Sequence, residues 1–155
     1  MDTTWIVSAD SGRARIFAET AVNKPLQEIE DITNSVARVR TLDTITDKMA
    51  PIAAGKSSHG SGGALPTSQY EPQQTPEDRE MELFAKEICT YLQRGKQNGR
   101  FDRLALVAAP AFLGALRKHL DPQLKPLISY ELNKDYTHSN AEQLRAQIHA
   151  HRENA

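Results

Sequence analysis

The first third of the chain alternates short apolar runs with turn residues, a pattern typical of β-strands. An apolar run at residues 5–9 leads into Asp-Ser-Gly at residues 10–12, and a second apolar run follows at residues 14–18. Two β-rich runs joined by a short glycine-containing turn predict a hairpin. A third run, at residues 26–32, follows Lys-Pro and contains two isoleucines, so we expect it to complete an antiparallel meander.

The second half of the chain begins with a strongly marked amphipathic helix. Thr75 is suited to cap it, and Pro76 occupies the first helical position, where a missing N–H costs nothing. Gly95 and Gly99 are expected to end the helix. Its apolar positions recur at helical spacing and form a stripe that must pack on the sheet, consisting of Met81, Phe84, Ala85, Ile88, Cys89 and Leu92.

Strand and helix patterns continue to alternate toward the C-terminus. The unbroken apolar run at residues 104–109 predicts a central strand covered on both faces, and Pro110 starts a second helix. Residues 127–132 predict the last strand, and Ser139 or Asn140 can cap a final helix. The predicted buried positions of the second helix are Phe112, Leu113, Leu116 and Leu120, and those sharing one face of the last strand are Ile128, Tyr130 and Leu132.

This order of elements predicts an α/β domain. We expect a mixed sheet of about five strands that opens with the antiparallel meander and is covered by helices. One domain is expected over residues 1–150, with a flexible Gly/Ser/Pro loop at residues 49–75 and a polar C-terminal tail at residues 151–155. Residues 34–47 predict at most a short extended piece.

Composition narrows the function classes. Lys and Arg number 19 against 20 for Asp and Glu, so any attraction for an anion must be local. Cys89 is the single cysteine and falls on an apolar helix face, which excludes an internal disulfide and predicts a buried, inert thiol. We expect a cytoplasmic protein because the sequence shows neither a signal-peptide pattern nor a run of about 20 apolar residues that could span a membrane.

The loop holds the glycine-rich stretch at residues 60–64. Its glycines allow backbone N–H groups to converge on an anion near Lys56, but the stretch matches neither a P-loop nor a dinucleotide-binding fingerprint. Composition alone favours a flexible connector.

Asp10 is interpreted as a turn residue whose side chain hydrogen-bonds its own backbone. Arg13, Arg15, Arg38 and Arg40, extended by Lys56, could form a basic edge that contacts RNA, and ordinary solvated strand faces are the alternative. Gly60 is a further binding candidate through the backbone N–H groups of the glycine-rich stretch.

The histidines do not form a metal signature, and no cofactor is expected. His149 and His151 project about 200° apart on a helix, which is wrong for joint ligation. His59 differs because it lies beside loop serines, so a Ser/His hydrolase is a further hypothesis. The chain has no Gly-x-Ser-x-Gly nucleophile elbow to support it.

Several stretches together resemble the bacterial host attachment family, named for a protein required for attachment to host cells. These are residues 5–17, the glycine-rich loop with its acidic helix, residues 104–116 and residues 131–138. That family is similar to the middle domain of archaeo-eukaryotic peptide release factors, which implies an RNase H-like architecture. In release factors the corresponding loop carries Gly-Gly-Gln and promotes hydrolysis of peptidyl-tRNA.

The triplet at the corresponding position here is Gly62-Gly63-Ala64, which lacks the glutamine. Gly62 and Gly63 retain the unusual backbone, whereas Ala64 cannot supply the polar contacts of an amide. The resemblance therefore favours an RNA- or ribosome-interacting domain without assured catalysis. The alternatives are a module whose loop orders on a protein partner, and a peptidyl-tRNA hydrolase with candidate residues Gly62, Gly63 and His59.

Overall fold

The computed structural model describes residues 2–21, 23–35 and 74–153. Five strands and three α-helices form this part of the chain. They are β1 (Thr4–Ala9), β2 (Arg13–Glu19), β3 (Gln27–Thr33), α1 (Pro76–Gln97), β4 (Arg103–Ala108), α2 (Pro110–His119), β5 (Ile128–Leu132) and α3 (Ala141–Glu153), with a 3-10 turn at Lys125–Leu127 before β5. No helix among the described residues is both long and apolar enough to cross a membrane.

The strands form one mixed sheet in the order β3-β2-β1-β4-β5. Strands β1, β2 and β3 pair antiparallel in sequence order, which confirms the predicted meander. β1 pairs parallel with β4, and β4 pairs parallel with β5. The predicted α/β class is therefore confirmed, with one correction: the middle strand is β1, and the apolar run in β4 lies one strand to its side.

The sheet has a core on each face. On the first face, α1 and α2 pack over alternate residues of the strands, and Trp5, Ile88 and Leu116 are among the buried side chains. On the second face, α3 packs through Leu144 and Ile148. Because both faces are covered, every residue of β1 after Thr4 is buried, and the usual alternation of apolar and polar residues is lost.

Helix α1 begins as predicted but runs past its first glycine. The Thr75 hydroxyl accepts a hydrogen bond from the Asp78 N–H, and the Asp78 carboxylate accepts one from the Thr75 N–H. The expected end at Gly95 is wrong, because this glycine is buried and a Cβ there would lie 2.7 Å from the Trp5 ring. The helix ends at Gln97, and Gly99 follows with a φ of 69°.

Two details at the C-terminal side complete the fold. The prediction that Ile128 shares a face with Tyr130 and Leu132 is wrong, because the register of β4 and β5 shifts between Leu104 and Ala105. Ile128 packs on the first face, whereas Leu132 lies in the core of the second. Of the two candidate caps for α3, Asn140 is the one used: its side chain and that of Gln143 exchange hydrogen bonds with each other's backbone N–H.

The single cysteine is buried, as predicted. Cys89 lies in α1 on the first face, and its Sγ donates a weak hydrogen bond to the Leu116 carbonyl oxygen at 3.5 Å. Burial raises the pKa of this thiol to about 12, so it stays protonated at neutral pH.

Candidate functional site

The carboxyl ends of the three parallel strands meet at one edge of the sheet, which we call the carboxyl edge. In open α/β sheets this is the side on which ligands bind. Asp10 directly follows β1, Ala109 follows β4, and Asp135 lies three residues beyond β5. A cavity of about 420 Å³ opens there, lined by Asp10, Ser11, Gly12, Met81, Ala109, Ala111, Phe112 and Asp135.

The turn between β1 and β2 forms one wall of this cavity. The Asp10 carboxylate accepts hydrogen bonds from the backbone N–H groups of Gly12 and Arg13, at 2.8 and 2.9 Å through Oδ1. The interpretation of Asp10 as a turn residue is thereby confirmed. Its second oxygen, Oδ2, lies 3.3 Å from the hydroxyl of Thr137.

Thr137 connects that turn to the segment after β5. Its hydroxyl lies 2.6 Å from Oδ1 of Asp135, and its backbone N–H donates to the same oxygen at 3.0 Å. The side chain is buried, so these bonds are shielded from water. Because a hydroxyl has one proton, Thr137 donates it to Asp135, the nearer acceptor. The Asp10 carboxylate still faces the Thr137 hydroxyl oxygen because its hydrogen bonds to two backbone N–H groups hold it in place.

Arg15 on β2 contacts the same segment after β5. Its guanidinium forms a bidentate ion pair with Glu28 on β3, with both N–O distances at 2.8 Å. Its remaining Nη1 donates to the carbonyl oxygens of Thr137, at 2.9 Å, and Ser139. The side chain is only 10% exposed, and the hydrogen bonds from Arg15 hold the pKa of Glu28 below its usual range.

Arg13 lies on the same face of β2, as its two-residue spacing from Arg15 predicts, and is also paired. It forms two hydrogen bonds with the carboxylate of Asp31, at 2.9 and 2.7 Å, in an exposed ion pair. The guanidinium lowers the pKa of Asp31. A phosphate would have to compete with Asp31 for Arg13 and with Glu28 for Arg15, so the predicted phosphate contacts stay predictions.

The other predicted site residues lie outside the described part of the chain. These are Arg38, Arg40, Lys56, His59, Gly60, Gly62 and Gly63. Asn34, two residues before the segment at residues 36–73, and Met81, eight residues after it, both lie at the carboxyl edge. Asn34 donates from its backbone N–H to the Gly12 carbonyl oxygen and from its side chain to the Ser11 carbonyl oxygen, each at 2.9 Å. Beyond the segment, Met81 in α1 lines the cavity.

Sequence reasoning missed Asp135 and Thr137 as site residues. The available signal was their position after the last parallel strand, where polar side chains reach the carboxyl edge. The described residues contain no group of three or more His, Cys, Asp or Glu side chains that could hold a metal ion. No histidine, cysteine or lysine is among the described residues that line the cavity, so they supply polar contacts and two carboxylates but no paired nucleophile and base.

Comparison with known proteins identifies the family. A family model described as "Protein required for attachment to host cells" matches residues 5–148. No curated protein matches the chain. A solved structure of the Aquifex aeolicus Ppx/GppA phosphatase, type II variant, is similar at 13% identity and a TM-score of 0.38. The match covers 85% of this chain and only 36% of the phosphatase, and a likeness at this level supports no inference.

Proposed function

We propose that the chain, which belongs to the family of proteins required for attachment to host cells, is a binding domain for a protein partner. Its proposed binding surface consists of the carboxyl edge and residues 36–73. The observation that carries the proposal is that a residue shortly before the segment and a residue shortly after it both lie at this edge. Asn34 is hydrogen-bonded to the β1–β2 turn, and Met81 lines the cavity beside Asp10.

The preformed concave edge lies between the described residues that precede and follow the segment. A rigid scaffold that presents a variable segment is a common design for recognition, because the scaffold supplies position and the segment supplies contacts. The resemblance to release factors is consistent with this geometry, since it also assigns the function to the segment that follows the meander. The RNase H-like architecture implied by that resemblance is part of the same proposal.

The charge of the described edge favours a protein partner over RNA. Asp10 and Asp135 present two carboxylates, while the guanidinium groups of Arg13 and Arg15 are neutralised by Asp31 and Glu28. Nucleic acids bind mainly through contacts of basic side chains with phosphates, which such an edge would oppose. The predicted role in RNA or ribosome binding therefore depends on Arg38, Arg40 and Lys56 within the segment.

Neither hydrolase hypothesis gains support from the described side chains. Both rely on residues of the segment, either Gly62 and Gly63 or His59 with a serine. Among the described residues, the two carboxylates of the cavity already have structural partners: Asp10 accepts from two backbone N–H groups, and Asp135 accepts from Thr137. Binding without catalysis is the function that this edge supports best.

The experiment is affinity capture of partners by the purified chain, with and without ribonuclease. The proposal predicts protein capture that resists ribonuclease and that is abolished when residues 55–65 are replaced by a Gly/Ser linker of equal length. Asp10→Asn with Asp135→Asn removes two edge charges but keeps similar side-chain shapes, and should weaken capture by about 2- to 10-fold, with a smaller effect at high salt.

The matched control is Glu87→Gln, which removes one exposed carboxylate from α1 outside the cavity and should leave capture unchanged. Capture that disappears on ribonuclease treatment would replace the protein proposal with the RNA hypothesis. Capture that survives both the linker replacement and the edge variants would refute the assignment of the binding surface.

A further inference from the structure

A second and larger cavity lies on the opposite end of the sheet from the carboxyl edge. It occupies about 620 Å³ between α3 and the second face, near the end of β2 and the beginning of β3. Ile6, Leu26 and Ile148 supply apolar walls, and the Tyr130 side chain borders the same space. Five of the eleven lining residues are apolar or aromatic, and the other six are charged or histidine. The volume lies within the range of sites that bind small molecules.

Two opposite charges border the Tyr130 ring in this cavity. The guanidinium of Arg152 lies over the ring, 4.3 Å from its centroid, and Glu19 lines the same cavity from the end of β2. Burial, followed by the negative charge of Glu19, raises the pKa of Tyr130 to about 12, so its hydroxyl is a donor at neutral pH. Within the described part of the chain, neither Glu19 nor Arg152 forms an ion pair.

The other charged groups of the cavity already have a structural explanation. Arg145 donates to the Lys24 carbonyl oxygen at 2.6 Å, and His149 lies 3.2 Å from the carboxylate of Glu153. Glu142 lies in the first turn of α3, where the helix dipole favours a negative charge. Arg152 suits the last turn for the same reason and also lies over the Tyr130 ring, whereas no such argument applies to Glu19; both groups line the same cavity.

We propose that this cavity binds a small zwitterion with an apolar body, the chemical class of apolar amino acids and their dipeptides. The ammonium group would pair with Glu19 and the carboxylate with Arg152, while the apolar side chain would replace water against Ile6, Leu26 and Ile148. Both charges of the ligand are needed, because a ligand with one charge leaves the opposite protein charge without a partner. The site is separate from the carboxyl edge and does not depend on the function proposed there.

The test is isothermal titration calorimetry of the whole chain with L-phenylalanine and with L-leucyl-L-leucine. Binding of at least one zwitterion with a Kd of about 1 mM or tighter is expected, which corresponds to about 4 kcal/mol or more. 3-Phenylpropanoate and 2-phenylethylamine retain the aromatic body but carry one charge each. They should bind about 10-fold more weakly, since each loses one of two charge-assisted contacts.

Matched variants assign the site. Glu19→Gln and Arg152→Gln should each weaken zwitterion binding by about 5- to 30-fold, and Ala146→Trp, which fills the cavity from α3, should abolish it. Glu87→Gln and Arg94→Gln remove the same charges outside this cavity and should have no effect. The proposal is overturned if neither zwitterion binds at about 10 mM, if the singly charged probes bind equally well, or if the Glu19 and Arg152 variants bind normally.

Discussion

Arg15, the buried arginine on β2, provides the sharpest quantitative prediction. Arg15→Ala removes four hydrogen bonds: two to the carboxylate of Glu28 and two to the carbonyl oxygens of Thr137 and Ser139. Arg13→Ala, two residues earlier on the same strand, removes only the exposed pair with Asp31. The two variants therefore delete the same side chain from neighbouring sites that differ in burial and in the number of partners.

The expected costs differ several-fold. Arg13 and Asp31 have side chains 38% and 42% exposed, so water replaces their bonds and the loss should be about 0.2–1 kcal/mol. Arg15 is 10% exposed, and its removal leaves the buried Thr137 carbonyl without this donor. Breaking a fully buried pair costs about 3–5 kcal/mol, and because Glu28 is 33% exposed we expect about 2–4 kcal/mol here.

Urea unfolding monitored by tryptophan fluorescence measures both values. Trp5 is the single tryptophan and is buried against Phe101 and Tyr91, so its emission reports loss of the core. With a urea m-value of about 2 kcal/mol/M, Arg15→Ala should lower the midpoint by about 1–2 M, and Arg13→Ala by less than about 0.5 M. Equal midpoint shifts for the two variants would show that the burial of Arg15 and its two carbonyl contacts do not increase its contribution to stability.

The contribution of the Arg15–Glu28 pair should also depend on pH with a definite sign. The folded state lowers the pKa of Glu28, mainly through its hydrogen bonds with Arg15. The pair therefore stabilises the fold above the unfolded-state pKa of about 4.3, and this contribution is lost as the pH falls through the folded-state value. The stability difference between the wild-type chain and Arg15→Ala should shrink below about pH 4, and a constant difference would contradict the assigned cause.

The remaining predictions concern three substitutions and the reactivity of one cysteine. Gly95→Ala should destabilise the fold by about 1–3 kcal/mol, because its Cβ would lie 2.7 Å from the Trp5 ring. Gly114→Ala, whose Cβ meets nothing within 4 Å, should instead stabilise α2 by about 0.5–1 kcal/mol. The melting temperatures of the two glycine variants, measured by thermal unfolding, test both expectations. Ser8→Ala should be neutral or stabilising by up to about 1 kcal/mol in the same assay, since its buried hydroxyl has no hydrogen-bond partner among the described residues. Cys89 should react with a disulfide reagent no faster than the chain unfolds, and rapid labelling of the native state would contradict its burial.

Local sequence patterns predicted most of the fold. The hairpin, the meander, the cap of α1 at Thr75 and the helix start at Pro110 each depend on a few neighbouring residues, and each is confirmed. Long-range packing accounts for the errors. Gly95 resembles a helix terminator in sequence, but its role is to let α1 approach the ring of Trp5, a contact across 90 positions that no local pattern contains.

The candidate site was less predictable because its parts come from distant positions. The spacing of Arg13 and Arg15 correctly places them on one face, but their partners Asp31 and Glu28 depend on the pairing of β2 with β3. That pairing includes a register shift between Ile16 and Phe17, which decides which carboxylate meets which arginine. Two arginines that resemble a phosphate-binding edge in sequence are thus neutralised in the folded sheet.

The same limitation applies to the carboxyl edge itself. Asp10 and Thr137 are neighbours only because β1, β4 and β5 run parallel and end together. The sequence indicates each strand and the polar residues that follow it, but not the order in which the strands pair, so it does not show which strand ends come together. The apolar cavity under α3 also depends on this packing, since Glu19, Tyr130 and Arg152 come from three different elements.

Site-specific photocrosslinking can show whether the carboxyl edge binds a protein partner. A benzophenone amino acid is placed at Ser11, an exposed residue of the β1–β2 turn, or at Gln123, an exposed residue between α2 and β5. If the edge binds a protein partner, position 11 should give ribonuclease-resistant crosslinks to protein that are lost when residues 55–65 are replaced by a linker, and position 123 should give none. Crosslinks from position 123 alone, or crosslinks to RNA from position 11, would contradict the proposal.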